Sequence, residues 1–106
     1  MLSLKDLEFL DVSENQIHEL EPIEDSSFPI LGTLNLNANK LISIPPLLAH
    51  LKQLEQLDLS ENNIEKIDLS LFQEFPNLQW IDISYNPLIN PPNTEEIDIF
   101  SFEVEI

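Results

Sequence analysis

The stretch Leu54-Glu-Gln-Leu57-Asp-Leu59-Ser-Glu-Asn62-Asn-Ile64-Glu-Lys-Ile67 decides the fold. Its apolar residues fall at 54, 57, 59, 64 and 67, a spacing that no helix gives over its whole length. Leu57 and Leu59 stand two apart, the period of a half-buried strand, and the period changes after Leu59, so the strand is short. Asn62 sits where the backbone must leave the strand. Its amide can both donate and accept, which suits it to backbone groups left open at such a bend. Ile64 and Ile67 bring the chain back to the core.

The pattern recurs three more times. Leu7, Leu10, Val12, Asn15, Ile17 and Leu20 fit it, as do Leu31, Leu34, Leu36, Asn39, Leu41 and Ile44, and Leu78, Ile81, Ile83, Asn86 and Leu88. The four asparagines are 24, 23 and 24 residues apart (15 to 39, 39 to 62, 62 to 86). From residue 4 to about 91 the sequence resembles the leucine-rich repeat family, whose signature is L-x-x-L-x-L-x-x-N-x-L. The resemblance implies an α/β solenoid, a horseshoe with a parallel inner sheet and short helical or 3₁₀ outer segments. Its crossovers should be right-handed, as is the rule between parallel strands. It also implies protein binding, without naming a partner.

The register divides a single domain, residues 1–106, into repeats near 4–27, 28–50, 51–74 and 75–93, followed by a C-terminal strand or cap over 94–106. Strands are expected near 9–13, 33–37, 56–60, 80–84 and 97–99. Outside the strands, Pro22 with Ser26 and Ser27 suggests an irregular outer segment. Pro45-Pro46-Leu-Leu-Ala-His-Leu51 reads as a single helical turn, since proline suits its first positions. Ser70-Leu-Phe-Gln73 has capping-box spacing and predicts a second short helix ended by Pro76. These segments are expected to bury Leu47, Leu48, Leu71, Phe72 and Phe75. Ile97-Asp98-Ile99 is expected to add a fifth strand, with Phe100, Phe102, Val104 and Ile106 alternating in the opposite phase. An apolar last residue suggests pairing with the sheet edge or continuation in a longer protein. At the other end, only Met1-Leu2-Ser3 precedes the repeat pattern, so an uncapped apolar stack edge and self-association are expected.

Composition narrows the function. Twenty acidic residues against four lysines and no arginine give a net charge of −16. So acidic a surface repels phosphate, which disfavours nucleic acid and anionic membranes. No apolar run approaches the length of a membrane helix, and the start lacks the basic and apolar regions of a signal peptide. Cysteine is absent, which removes disulfides, zinc–thiolate sites and thiol nucleophiles. Extracellular members of the resembled family usually carry cysteine-rich caps, and the sequence holds no N-x-S/T site. The expected location is intracellular, cytoplasmic or nuclear.

The repeat register also names the residues of the inner face. One column is Phe9, Thr33, Gln56 and Trp80; the next is Asp11, Asn35, Asp58 and Asp82, with Asp98 if the fifth strand lies at 97–99. Ser13, Asn37, Ser60 and Ser84 follow, then Glu14, Ala38, Glu61 and Tyr85. The aspartates read as a solvated acidic face, a site for a basic partner, or a metal site. Trp80 and Tyr85, the only Trp and Tyr, mark a contact surface, because aromatics on a polar face are enriched at binding hot spots. Trp80 could alternatively pack on the Gln56 stem or against Phe100 or Phe102. The candidate partner-binding set is therefore Phe9, Asp11, Asp58, Trp80, Asp82 and Tyr85, while Asn15, Asn39, Asn62 and Asn86 form a structural ladder. No metal and no cofactor is assigned. His18 and His50 lie far apart, no Ser/His/Asp group falls on one column, and nothing in the pattern shapes a pocket. The chain therefore reads as a protein-interaction module and not an enzyme. The alternatives are a structural subunit docked by uncapped ends and an acidic chaperone-like binder of basic proteins. The latter has a charge similar to that of the acidic nuclear leucine-rich phosphoproteins, but this chain has no long acidic tail.

Overall fold

The computed structural model describes residues 4–20 and 28–106. The expected outer segment around Pro22 lies outside the described residues. Five short strands form one parallel sheet in sequence order: β1 (Phe9–Asp11), β2 (Thr33–Asn35), β3 (Gln56–Asp58), β4 (Trp80–Asp82) and β5 (Glu103–Glu105). The strands are shorter than expected, yet inter-repeat pairing continues past them. Val12 N–H donates to Asn35 O at 3.0 Å and Glu14 N–H to Asn37 O at 2.9 Å. The same pairs recur between Leu36 and Asp58 and between Ala38 and Ser60.

One face of the sheet is the core. Leu34, Leu57 and Ile81, the central residues of their strands, are buried with Leu36, Leu59 and Ile83. Outer segments close the core from behind. The 3₁₀ helix Pro46–His50 carries proline in its first turn, as expected, and buries Leu48 and Ala49. Helix α1 (Leu69–Phe72) starts earlier than the Ser70 capping box predicted. Its cap is Asp68, whose Oδ1 accepts from the Ser70 amide at 3.0 Å and the Ser70 hydroxyl at 2.6 Å. With Asp68 at the cap, the Ser70 hydroxyl is spent as a donor to its carboxylate and does not cap the helix itself. Phe72 and Phe75 are buried, and Leu71 is half-buried.

The C-terminal part departs most from expectation. Ile97-Asp98-Ile99 is no strand. Asn93 and Glu96 form a reciprocal capping box at 2.9 and 3.1 Å, which starts helix α2 (Thr94–Ile97) and leaves Asp98 at its C-cap, off the sheet. The fifth strand comes later. Val104 pairs with Ile81, 23 residues on, as Leu57 pairs with Leu34 and Ile81 with Leu57 at 23 and 24. The helix delays the strand until the repeat period is restored. Phe100 and Phe102 then fold onto Phe72, with ring centroids 5.3 and 5.8 Å from it and 5.4 Å from each other. The fifth strand thus pairs with β4 at 103–105 and not at the expected 97–99, with Phe100 and Phe102 packed behind it. At the other end Leu7, Leu10, Val12, Ile17 and Leu20 are only half-buried, behind a 3₁₀ turn at Leu4–Asp6.

Candidate interaction surface

The second face of the sheet is open. Strand alternation puts Phe9, Thr33, Gln56, Trp80 and Glu103 in one row and Asp11, Asn35, Asp58, Asp82 and Glu105 in the next. Asp58, Asp82 and Glu105 stand on adjacent strands, while Asn35 separates Asp11 from Asp58. Trp80, Asp82 and Tyr85 share β4 and its exit turn. Phe9 lies three strands from Trp80, about 14 Å at the usual inter-strand spacing. The candidate residues therefore divide into a group around β3–β5, namely Asp58, Trp80, Asp82 and Tyr85, and a pair, Phe9 and Asp11, at the β1 edge.

Tyr85 is 84% exposed and Phe9 58%, whereas Trp80 is half-buried beside Glu103. Phe100 and Phe102 pack on Phe72 instead of on the indole. Glu103 and Glu105 are absent from the residues that the sequence nominated. Counting the repeat period from Ile81 would have found them, since it leads to Val104 and its two outward neighbours.

The aspartate row also has a structural task. The Oδ1 of Asp11, Asn35, Asp58 and Asp82 accepts from the amide two residues on, at 2.9, 2.9, 2.9 and 2.8 Å. Ser60 and Ser84 add their hydroxyls at 2.5 and 2.6 Å. Each is an Asx turn that ends the strand. The Ser13 hydroxyl, and then its amide, hold the Asp11 carboxyl below the usual aspartate range. Asn35 performs the same turn without a charge, so closing the turn does not require aspartate at 58 or 82.

The next residues in the register share a second constraint. Glu14, Ala38, Glu61 and Tyr85 all adopt left-handed backbone, with φ of 56°, 57°, 55° and 57°. Each immediately precedes a ladder asparagine. Asn39 Nδ2 donates to Leu36 O and Val12 O, and its Oδ1 accepts from Ile17 N–H one repeat earlier. Asn62 and Asn86 repeat this arrangement. The side chain closes its own turn and ties it to the previous one. A five-strand parallel sheet with one such ladder and short outer helices is the repeat unit that the signature describes, and family comparison agrees. A model described as "Leucine rich repeat" matches residues 29–88, more than half of the chain, and a second, described as "Leucine Rich Repeat", matches residues 77–101.

The chain belongs to the leucine-rich repeat family.

Comparison with curated proteins gave no match. Leucine-rich repeat domains generally mediate protein–protein interaction, and the family is typically non-enzymatic. Among the described residues no group of three or more His, Asp or Glu side chains is placed to hold a metal, and no helix is long and apolar enough to cross a membrane. The repeat pattern led us to expect no pocket on this side. The sheet nonetheless carries one depression at its entrance edge, about 460 Å³, lined by Glu8, Phe9, Ile30, Gly32, Thr33, Gln53 and Glu55.

Proposed function

We propose that this chain is a single-domain protein-interaction module that takes a basic partner across the open face of its sheet. The observation that carries the reading is the row Asp58, Asp82 and Glu105 on adjacent strands, flanked by Trp80 and the exposed Tyr85. Neighbouring carboxylates about 4.8 Å apart repel one another, and a cationic partner relieves that repulsion. Asn35 supports the same reading, because a neutral amide closes its turn equally well and leaves the negative charge at 58 and 82 free for another task. A surface aromatic such as Tyr85 supplies contact area at low entropic cost. The absence of cysteine supports an intracellular location, cytoplasmic or nuclear.

The test is affinity capture from the source cell with the wild type, Tyr85→Ala and the double substitution Asp58→Asn/Asp82→Asn. The asparagines keep the Asx turns and remove two charges. The reading expects unchanged melting temperature, weaker capture of a common set of basic proteins, and slower association as salt rises. Capture that is indifferent to all three changes refutes it.

One observation favours a second reading, docking through the N-terminal end. Leu10, Val12, Ile17 and Leu20 line, with Phe28, Leu31, Leu34, Leu36 and Leu51, a wholly apolar cavity of about 170 Å³. Concentration-dependent association lost in Leu20→Glu would support this reading over the first.

A further inference from the structure

The depression at the sheet's entrance edge has a simple origin. Positions 8, 32, 55 and 79 form one row, linked by amide-to-carbonyl bonds from Gly32 to Glu8 at 2.9 Å and from Glu55 to Gly32 and Gln79 to Glu55 at 2.8 Å. The row reads Glu8, Gly32, Glu55, Gln79. The chain's only glycine therefore stands between two glutamates, and the second repeat is cut back between its neighbours. Nothing in the backbone asks for glycine here. Its φ is not positive, and a Cβ would meet only the Gln53 and Glu8 carbonyl oxygens, both at 3.8 Å, an ordinary contact. The consequence of Gly32 is the notch itself.

The lining of the notch has two characters. Phe9, 58% exposed, and Ile30, 45% exposed, give it an apolar side. Glu8 and Glu55 line it from the first and third repeats, with backbones about 9.6 Å apart, twice the usual strand spacing. Both glutamates are exposed, and among the described residues neither carboxylate accepts a hydrogen bond. A planar cation fits such a place: it stacks on an aromatic ring and presents donors to carboxylates on either side. We infer that this notch is the pocket for an arginine side chain of the protein partner. A lysine ammonium gains the charge contacts without the stacked plane, so arginine is favoured. The inference deepens the proposed function and rests on it, since it locates the first anchoring contact of a basic partner at the β1–β3 edge.

The probe is the blocked tripeptide acetyl-Gly-Arg-Gly-amide, with its citrulline counterpart as a neutral control of the same shape. Amide chemical shifts of the full chain are followed by NMR at low salt. The expected result is a saturable shift centred on Phe9, Gly32 and Thr33 with the arginine peptide and none with citrulline. Gly32→Gln places in the notch the residue that position 79 already carries, and it should keep or raise the melting temperature. It should weaken the arginine peptide about tenfold, the combined size of two exposed charge contacts and one cation–π contact. Glu8→Gln/Glu55→Gln, which leaves the backbone, Gly32 and the Phe9 stack untouched, should weaken it by a smaller factor. Shifts centred instead on Asp58, Asp82 and Glu105 and unmoved by Gly32→Gln would overturn the notch while leaving the acidic face standing. No saturable shift anywhere would overturn both.

Discussion

The Asn62 side chain donates through Nδ2 to Leu36 O, 3.1 Å away and 26 residues earlier in the chain. The same amide donates to Leu59 O at 3.0 Å and Ser60 O at 3.1 Å within its own turn, and its Oδ1 accepts from Leu41 N–H at 3.0 Å. A single buried amide thus satisfies backbone groups of two successive repeats. Asn86 does the same for the next pair, and its Oδ1 also accepts from the Asn62 backbone N–H at 3.1 Å. Each repeat's exit turn is therefore stable only beside its neighbour, the nearest-neighbour coupling expected of solenoids.

Asn62→Leu removes all four bonds. Leu36 O, Leu59 O and Ser60 O each keep a second donor, from Asn39, Asn86 and Ala38, but the buried Leu41 N–H loses its acceptor and an apolar side chain is set among polar backbone groups. The expected cost is about 2–3 kcal/mol. Asn15 is exposed and, among the described residues, bonds only within its own turn, to Val12 O and Ser13 O, so Asn15→Leu should cost less than about 1 kcal/mol. Urea unfolding of the two variants checks the contrast, and equal losses would mean that the inter-repeat bonds contribute little.

The left-handed residue before each asparagine offers a second test. Ala38 holds φ 57° without the local hydrogen-bonding or steric relief of Asn or Gly. Ala38→Gly or Ala38→Asn should raise stability by about 0.5–1 kcal/mol, and the β-branched Ala38→Val should lower it by at least about 1 kcal/mol. Thermal unfolding reads the order. Glu14, Glu61 and Tyr85 share this backbone, so the strain at Tyr85 belongs to the repeat and is no sign of a functional site by itself.

Asp11 gives a pH prediction. The Ser13 hydroxyl and amide stabilise its charged form, so its folded pKa lies below that of the unfolded chain. A depressed carboxylate contributes stability that is fully present above the unfolded value, about 3.9, and is lost as pH falls through the lower folded value. An NMR titration should find Asp11 ionised to lower pH than a free aspartate. Ser13→Ala should move its midpoint upward; an unchanged midpoint would remove the hydroxyl as the main cause.

The aromatic cover of the C-terminal end is the fourth test. Phe102 is half-buried, 5.8 Å from Phe72 and 5.4 Å from Phe100. Phe102→Ala should cost about 2 kcal/mol, less than a fully buried phenylalanine, and should speed amide exchange around Ile81 and Ile83 ahead of the first repeats. Uniformly faster exchange would mean that the chain unfolds only as a whole.

Period and residue type made most of the fold legible. Leucines at fixed offsets from an asparagine can be buried together only if each unit stacks on the next, so Leu10, Leu34, Leu57 and Ile81 aligned without any knowledge of coordinates. The same reasoning failed at Ile97 because it followed local alternation. There the Asn93–Glu96 capping box, a short-range preference, shaped the chain first, and the longer repeat period placed the strand at Val104.

The candidate site divides along the same line. The row positions of Trp80, Asp58, Asp82 and Tyr85 follow from the register, and so could those of Glu103 and Glu105. The dual task of the aspartates could not be read, because an Asx turn depends on where a backbone amide two residues on points. Nor could the notch at Gly32, whose walls come from Glu8 and Glu55, 47 residues apart in the chain. Sequence alone determined which residues share a row, since that is a matter of counting along the chain. What fills, bonds or leaves empty the space between rows was decided only when the repeats stacked, because those distances exist only between segments far apart in the chain.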